Sequence, residues 1–360
     1  MLESNIARGQ GLETSSAATG LLEIGFFQQA VHESITSSNN ATQKQKWKAF
    51  LESSIVSANS TLANATKNTE LVLDRLSIGS AIIRLFNETR NETYIPTLKA
   101  LQQSVVNQKR NANGGLWYFD NQLNLTAYRN LSYLDGMYSY APFAILSREF
   151  DYASDTNYLN EAAAWKQVSL LRSITERDDG LSVHGYDPTK NHTWAQGKDG
   201  ASPVVWSRSQ AWYTLGIVNS IELLETQYSD LIYNFKDLYH DLVVAQLDAS
   251  DRSLAIEGNY GVWQVVDRPG ATFDGKSNFI EASSSLMTAY SLLRGARMGW
   301  LEHEPLRLRA QLAGVGIFND IKQRYLLDNQ NSTLSLNGTS SVASLSGNVD
   351  YEYYITRPTR

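Results

Sequence analysis

Residues 132–143 read SYLDGMYSYAPF, and their only charge is Asp135. Leu134, Met137, Tyr138, Ala141 and, just beyond, Ile145 recur at helical spacing, so the stretch predicts a mostly apolar helix with one carboxylate where it begins. Two readings of that carboxylate fit. Asp is a favoured N-cap whose charge suits the helix dipole. Alternatively, Tyr133, Tyr138, Tyr140 and the Trp117 loop upstream wall Asp135 off from water, which pushes its pKa upward and lets it donate a proton near neutral pH.

Outward from this stretch the same pattern returns in pairs. Residues 21–60 carry two helical patterns, with Phe26, Phe27, Ala30 and Val31 on the first and Trp47, Phe50, Leu51 and Ile55 on the second. Residues 71–85 and 94–108 make another pair, closed by the Gly-rich break NANGGLWYF; 133–150 and 158–174 make a third, closed by RDDGLSVHGYD. Ser202 as N-cap with Pro203 at the first helical position predicts the start of the next helix, which carries Trp206, Arg208, Trp212 and Leu215. A further helix covers 230–247, and after the break GNYGVWQVVDRPG two more cover 280–298 and 305–327. The ending GTSSVASLSGNVDYEYYITRPTR reads as loop with a short helix at most.

The repeat is one of architecture: a helix pair, then a loop with Gly and an aromatic, at a period of about 50 to 60 residues. Stacking such pairs in a ring buries each inner helix and gathers the loops at one mouth. The expected fold is an all-α, α/α barrel. Trp117, Trp194, Trp206, Trp212 and Trp263 fall in or beside the breaks that would form its mouth.

The chain has 360 residues, 42% hydrophobic and 19% charged, enough apolar material for a substantial core, and no linker-like break divides it. We therefore read residues 1–360 as a single domain. The longest apolar runs are too short to span a bilayer, and the first residues show no basic-then-apolar signal peptide, as in a trimmed mature chain. Cysteine is absent, which removes disulfides, thiolate catalysis and cysteine-based zinc sites together. Asn-x-Ser/Thr sequons begin at Asn40, Asn59, Asn64, Asn87, Asn91, Asn124, Asn130, Asn191, Asn331 and Asn337, which points to a secreted, extracellular glycoprotein. The net charge of −6 argues against nucleic acid or an anionic membrane as partner.

No phosphate loop, dinucleotide fingerprint or His-Glu-x-x-His motif occurs, and His32, His184, His192, His240 and His303 lack metal-ligand spacing, so no metal or cofactor is expected. What remains is acid, Arg, His and Trp. Arg208 and Trp212 are four apart, so the guanidinium can lie against the indole and face a ligand carboxylate; helical geometry turns Trp206 elsewhere, though in the first turn it can still border the mouth. The alternative is an ordinary core helix with one surface Arg. Alternation in GLSVHGYD puts Leu181 and Val183 on one side, Ser182 and His184 on the other; His184 is either a satisfied structural group or a member of the site. Asp74, in VLDRLSIGS, either caps its helix or shares the mouth with Asp135, where repulsion would raise one pKa further. Aromatic platforms with a few carboxylates suit sugar rings.

Taken together, SYLDGMYSYAPF, GLSVHGYD, the Trp206, Arg208 and Trp212 spacing in VVWSRSQAWY, and NFIEASSSLMTAYSLLRGARMGWL resemble the unsaturated rhamnogalacturonyl hydrolases of glycoside hydrolase family 105. DRLSIGS and IARGQG are similar to its fungal secreted branch. The resemblance implies an (α/α)6 six-hairpin barrel, here with a last hairpin that stops short. It implies Asp135 as proton donor, with Asp74, Trp117, His184, Trp206, Arg208 and Trp212 around the bound sugar. The implied partners are unsaturated uronic-acid oligosaccharides with a 4,5-unsaturated galacturonic acid at the non-reducing end, cleaved by hydration without metal. The chain departs from the family pattern at Leu22, Glu23, Ile24 and Gly25, where a Tyr-Glu-His-Gly-like stretch is usual, and in the longer segment DNQLNLTAYRN. Such departures leave open an unsaturated glucuronyl substrate or a non-catalytic sugar binder; the other enzyme alternative is a conventional inverting glycosidase on the same barrel using Asp135 with Asp74.

Overall fold

The computed structural model describes residues 1–13, 20–120, 126–227 and 229–359. After α1 (Leu2–Ala7), helices come in pairs: α2 (Gly20–Ser37) with α3 (Ala41–Asn59); then the one-turn α4 (Ala65–Thr69) leads into α5 (Arg75–Thr89) with α6 (Ile95–Asn107). The series continues with α7 (Gly136–Ser147) and α8 (Glu161–Thr175), α9 (Ser207–Gln227) and α10 (Ile232–Glu257), and α11 (Ala282–Met298) and α12 (Glu304–Tyr325). Helices α2, α5, α7, α9 and α11 pack side by side in chain order as an inner ring, and the second member of each pair lies outside. This is the α/α-barrel architecture expected from the helix pairs.

The stretch SYLDGMYSYAPF leads into that ring, and every residue of α7 is buried. Its neighbour α9 approaches so closely that a Cβ on Gly216 would sit 2.5 Å from the carbonyl oxygen of Met137, so only glycine fits there. One continuous apolar core, including Leu76, Leu101, Phe143, Ile217, Leu242 and Leu292, joins inner and outer helices of successive pairs. Burial of this kind, at roughly 25 cal/mol per Å² of apolar surface, is what holds the ring together.

Residues beyond α12 do not form a sixth helix pair among the described residues. Two-residue strands β1 (Ser132–Tyr133) and β2 (Gly185–Tyr186) pair antiparallel at the mouth, and β3 (Thr272–Phe273) pairs with β4 (Lys276–Ser277). After α12, β5 (Leu326–Asp328) and β6 (Leu334–Leu336) form a hairpin, followed by the one-turn α13 (Tyr351–Ile355). The final segment packs Leu345, Val349, Tyr354 and Ile355 against Leu131, Tyr133 and Trp206. The ending is loop with a short helix, as expected.

The start of α9 differs from the expectation. Ser202 and Pro203 do not open α9, which begins at Ser207. Ser202 instead exchanges hydrogen bonds with Gly185, and Trp206 bridges Val265. Extended pairing takes up the Ser202 hydroxyl that would have capped a helix, and Val204 and Val205 favour that conformation. The sequon Asn124 and part of the segment DNQLNLTAYRN lie outside the described residues.

Candidate active site

Four inner helices bring their N-terminal ends to one mouth. Asp74 immediately precedes α5, Asp135 precedes α7, Arg208 is in the first turn of α9, and Glu281 precedes α11. Neither Asp74 nor Asp135 makes a side-chain capping bond, and both have helical backbone angles. The capping alternative is therefore set aside for both. Glu281 is the cap in this set, accepting the Ser284 N–H at 2.6 Å.

Asp135 is buried, with about a tenth of its side chain exposed (10%). The Ser209 hydroxyl donates to its Oδ2. His184 Nε2 lies 3.3 Å from the same oxygen, within ion-pair range but not aligned as a hydrogen bond. The alternation in GLSVHGYD produces this contact. Leu181 and Val183 face an apolar cluster with Ala245 and Val266, while the His184 carbonyl accepts the Leu134 N–H at 3.1 Å and ties the two segments together. The imidazole is fully enclosed: Nδ1 is 2.8 Å from the Tyr354 hydroxyl, and the ring lies 5.1 Å from Tyr133 and 4.7 Å from Trp206.

Asp74 is the drier carboxyl. Tyr118 donates its hydroxyl to Oδ2 at 2.8 Å, and Oδ1 is buried without a partner. Burial pushes its pKa up to about 7; the Tyr118 bond opposes this, the charge of Asp135 adds to it, and Arg75 opposes it. The expected repulsion between the two carboxylates is present, and it falls on Asp74.

Arg208 is held from three sides. Its Nη2 donates to Glu281 Oε1 at 2.7 Å and to the Ser340 carbonyl at 2.6 Å, and its Nε donates to Ser283 at 3.0 Å. Glu281 is completely buried; desolvation works to raise its pKa, but the Arg208 charge and the bonds from Ser284, Arg208 and Ser283 together hold it below the ordinary carboxylate range. Arg208 Nη1 makes no hydrogen bond among the described residues.

The guanidinium lies over Trp206, 5.3 Å from its centroid, and not over Trp212. Trp206 stands just before α9, so helical periodicity does not apply to it, and its bridge to Val265 fixes it beside Arg208. Trp212, one turn further in, packs on Tyr138 at 4.7 Å and Phe26 at 5.0 Å. Trp117 is half-buried under Lys109, 5.1 Å away, with no hydrogen bond or ring contact to Asp74, Asp135, His184 or Arg208 among the described residues. Its neighbour Tyr118 faces the carboxyls instead, stacked at 4.4 Å on Tyr133. Tyr140 turns away, donating to the Tyr158 carbonyl at 2.9 Å.

The structure thus brings Asp74, Asp135, His184, Trp206 and Arg208 to one mouth, with Trp212 a turn deeper and Trp117 to the side. Tyr118, Ser209, Glu281 and Tyr354 were not singled out from sequence. Among the described residues no three His, Asp or Glu side chains come together as metal ligands, and no helix is long and apolar enough to cross a membrane. The arrangement offers two carboxyls of unlike surroundings, an enclosed imidazole and a fixed guanidinium, which suits proton transfer to a bound anion.

A sequence profile described as Glycosyl Hydrolase Family 88 matches residues 15–360. The 24.9 kDa protein in picA locus of Rhizobium radiobacter is 30% identical over 204 residues, covering 54% of this chain and 81% of its own length. A glycoside hydrolase from family 105 of C. acetobutylicum superimposes with a TM-score of 0.78 at 25% identity, covering 99% of this chain and 92% of that one. The unsaturated glucuronyl hydrolase of Bacillus sp. GL1, responsible for the degradation of glycosaminoglycan, shares the fold with a TM-score of 0.64 at 13% identity, covering 95% and 90%. The profile spans nearly the whole chain and the fold agrees with it: the protein belongs to Glycosyl Hydrolase Family 88.

Proposed function

We propose that this hydrolase releases 4,5-unsaturated galacturonic acid from the non-reducing end of rhamnogalacturonan lyase products, with Asp135 as acid and then base. The carrying observation is the buried Asp135 carboxyl between Ser209 and His184, beside a fixed guanidinium. Asp135 gives its proton to C4 of the vinyl ether, and positive character at C5 is shared with the ring oxygen. Water adds at C5 and returns a proton to the same carboxylate; the hemiketal then opens and expels the remaining sugar. One water is consumed and the carboxyl is restored. Arg208, through Nη1, and Trp206 border the substrate carboxylate and ring, and Trp212, Trp117 and His184 complete the surroundings.

The preference for a galacturonyl over a glucuronyl substrate rests on the motif resemblance and on the greater likeness to the family 105 structure than to the glucuronyl hydrolase. A second reading is favoured by one observation: Asp74 holds its proton up to about pH 7, so it, and not Asp135, would protonate C4. Loss of vinyl-ether absorbance on lyase-treated rhamnogalacturonan tests both. The first reading expects Asp135→Asn to lose at least 1,000-fold in kcat and Asp74→Asn roughly 10- to 100-fold, in line with removal of a general acid against a supporting group. The reverse order would move the acid to Asp74, and no absorbance change with wild type would end the proposal. Faster turnover of unsaturated glucuronyl oligosaccharides would reassign the substrate.

Secretion belongs to the same proposal. It is supported by the exposed sequons Asn40, Asn64, Asn91, Asn191, Asn331 and Asn337. Native protein recovered from culture medium should lose mass on endoglycosidase treatment, whereas an unmodified intracellular chain would refute secretion.

A further inference from the structure

A second cavity lies within the barrel wall, between α2, α3, α5, α7 and α9, and none of Asp74, Asp135, His184 or Arg208 lines it. It leaves about 90 Å³ of free space, room for a molecule of only a few heavy atoms. Its walls are mostly neutral and already satisfied. Tyr138 donates to Gln29 Oε1 at 2.8 Å, and Gln29 Nε2 donates to Asn219 at 2.8 Å.

Arg84 and Gln28 both line this cavity, and the Arg84 guanidinium and Gln28 Oε1 lack partners among the described residues. Arg84, half-buried on α5, makes no hydrogen bond and no ion pair within 4.0 Å among the described residues. Glu33 and Glu222 act on it only through space, because both are taken by Arg294. Glu88, at the rim, is held by Lys48 at 2.7 Å. The other group is Gln28, which is 1% exposed: its Nε2 donates to Ser54 at 2.9 Å, but its Oε1 accepts from nothing. A guanidinium presents five donors in a planar fork that matches a carboxylate, and a buried amide oxygen without a donor costs about 1 to 3 kcal/mol.

We propose that this cavity binds a small hydroxylated carboxylate, with the carboxylate on Arg84 and a hydroxyl donating to Gln28 Oε1, as a site separate from the mouth. The two unsatisfied groups fix the ligand class: Arg84 calls for an oxyanion and Gln28 for a hydrogen donor on the same molecule. A neutral polyol leaves Arg84 unpaired, and a simple carboxylate leaves Gln28 unpaired.

Calorimetric titration of the full chain with glycerate, acetate, inorganic phosphate and glycerol tests this, and because it reads binding without turnover it stands apart from the reaction proposed above. Glycerate should bind saturably, at least tenfold more weakly in Arg84→Gln, with part of the affinity kept in Arg84→Lys. Gln28→Ala should weaken glycerate and leave acetate unchanged. If Arg84→Gln does not fold, Arg84→Lys and Gln28→Ala carry the comparison. Absence of glycerate binding, equal binding by the Arg84 variants, or preference for phosphate would each overturn the assignment and leave Arg84 as a charge that offsets Glu33 and Glu222.

Discussion

Tyr118 and Asp74 are joined by a single hydrogen bond of 2.8 Å, from the phenol to Oδ2, and it is the only bond the buried carboxyl makes among the described residues. The bond stabilises the ionised form, so it works against the burial that raises the pKa. Tyr118→Phe should therefore move the Asp74 pKa above its present value of about 7. Carboxyl-resolved NMR titration of wild type and variant checks this; a lower pKa in Tyr118→Phe would contradict it.

Asp74 also sets a pH dependence of stability with a definite sign. Its folded pKa lies near 7, above its ordinary value of 3.8, so between those values the unfolded chain has released a proton that the folded chain keeps. Stability falls as pH rises through that window and the loss is complete above the folded pKa. At 1.36 kcal/mol per pKa unit the full loss is at most about 4 kcal/mol. Asp74→Asn cannot titrate, so by urea unfolding it should gain on wild type by up to that amount between pH 4 and 8. A constant difference across the range would show that Asp74 ionises normally.

Glu281 behaves in the opposite sense. Its folded pKa is depressed, so its contribution is present above the unfolded value of 4.5 and is lost as pH falls through the folded pKa. Glu281→Gln leaves the Arg208 guanidinium without its anion in a mostly buried place, which costs about 3 to 5 kcal/mol near neutral pH. The deficit should shrink in acid. Because Arg208 borders the proposed substrate carboxylate, KM should rise more than kcat falls; a fall confined to kcat would place Arg208 away from ground-state binding.

Gly216→Ala probes the spacing of the two helices that carry the site. The added carbon meets the α7 backbone at Met137 and Tyr138, which cannot yield as a side chain can. Overpacking of this kind costs about 1 to 3 kcal/mol. As Asp135 stands immediately before α7 and Ser209 is on α9, kcat should drop along with the melting temperature, whereas an unchanged kcat would show that the bond between them survives the shift.

The fold was legible because each pair has a strong apolar period and a Gly-containing break. The weakest boundary is the end of α10, expected near residue 247 but found at Glu257. Its last turns carry exposed, charged residues without a clear apolar face, and Arg309 of α12 holds them by ion pairs to Asp248 and Asp251, each at 2.6 Å. Such a tertiary contact has no local signature. In the site, the alternation around His184 could be read, because the period of two separates its inner and outer faces. Glu281 left a signal, an acid before Ala-Ser-Ser-Ser, which reads as a cap; its pairing with Arg208, 73 residues earlier, does not show in sequence. Tyr354 lies 170 residues from His184 and leaves no local signal, whereas Tyr118 sits beside Trp117 in the break NANGGLWYF. Trp206 borders the mouth as expected, but beside Arg208, because α9 begins only after it.

The Tyr354 hydroxyl on His184 has a temporal side. That tyrosine comes from a single turn, α13, that follows all five helix pairs in the chain. The anchor of the imidazole is therefore the last piece of the site to be synthesised, after every helix that forms the core.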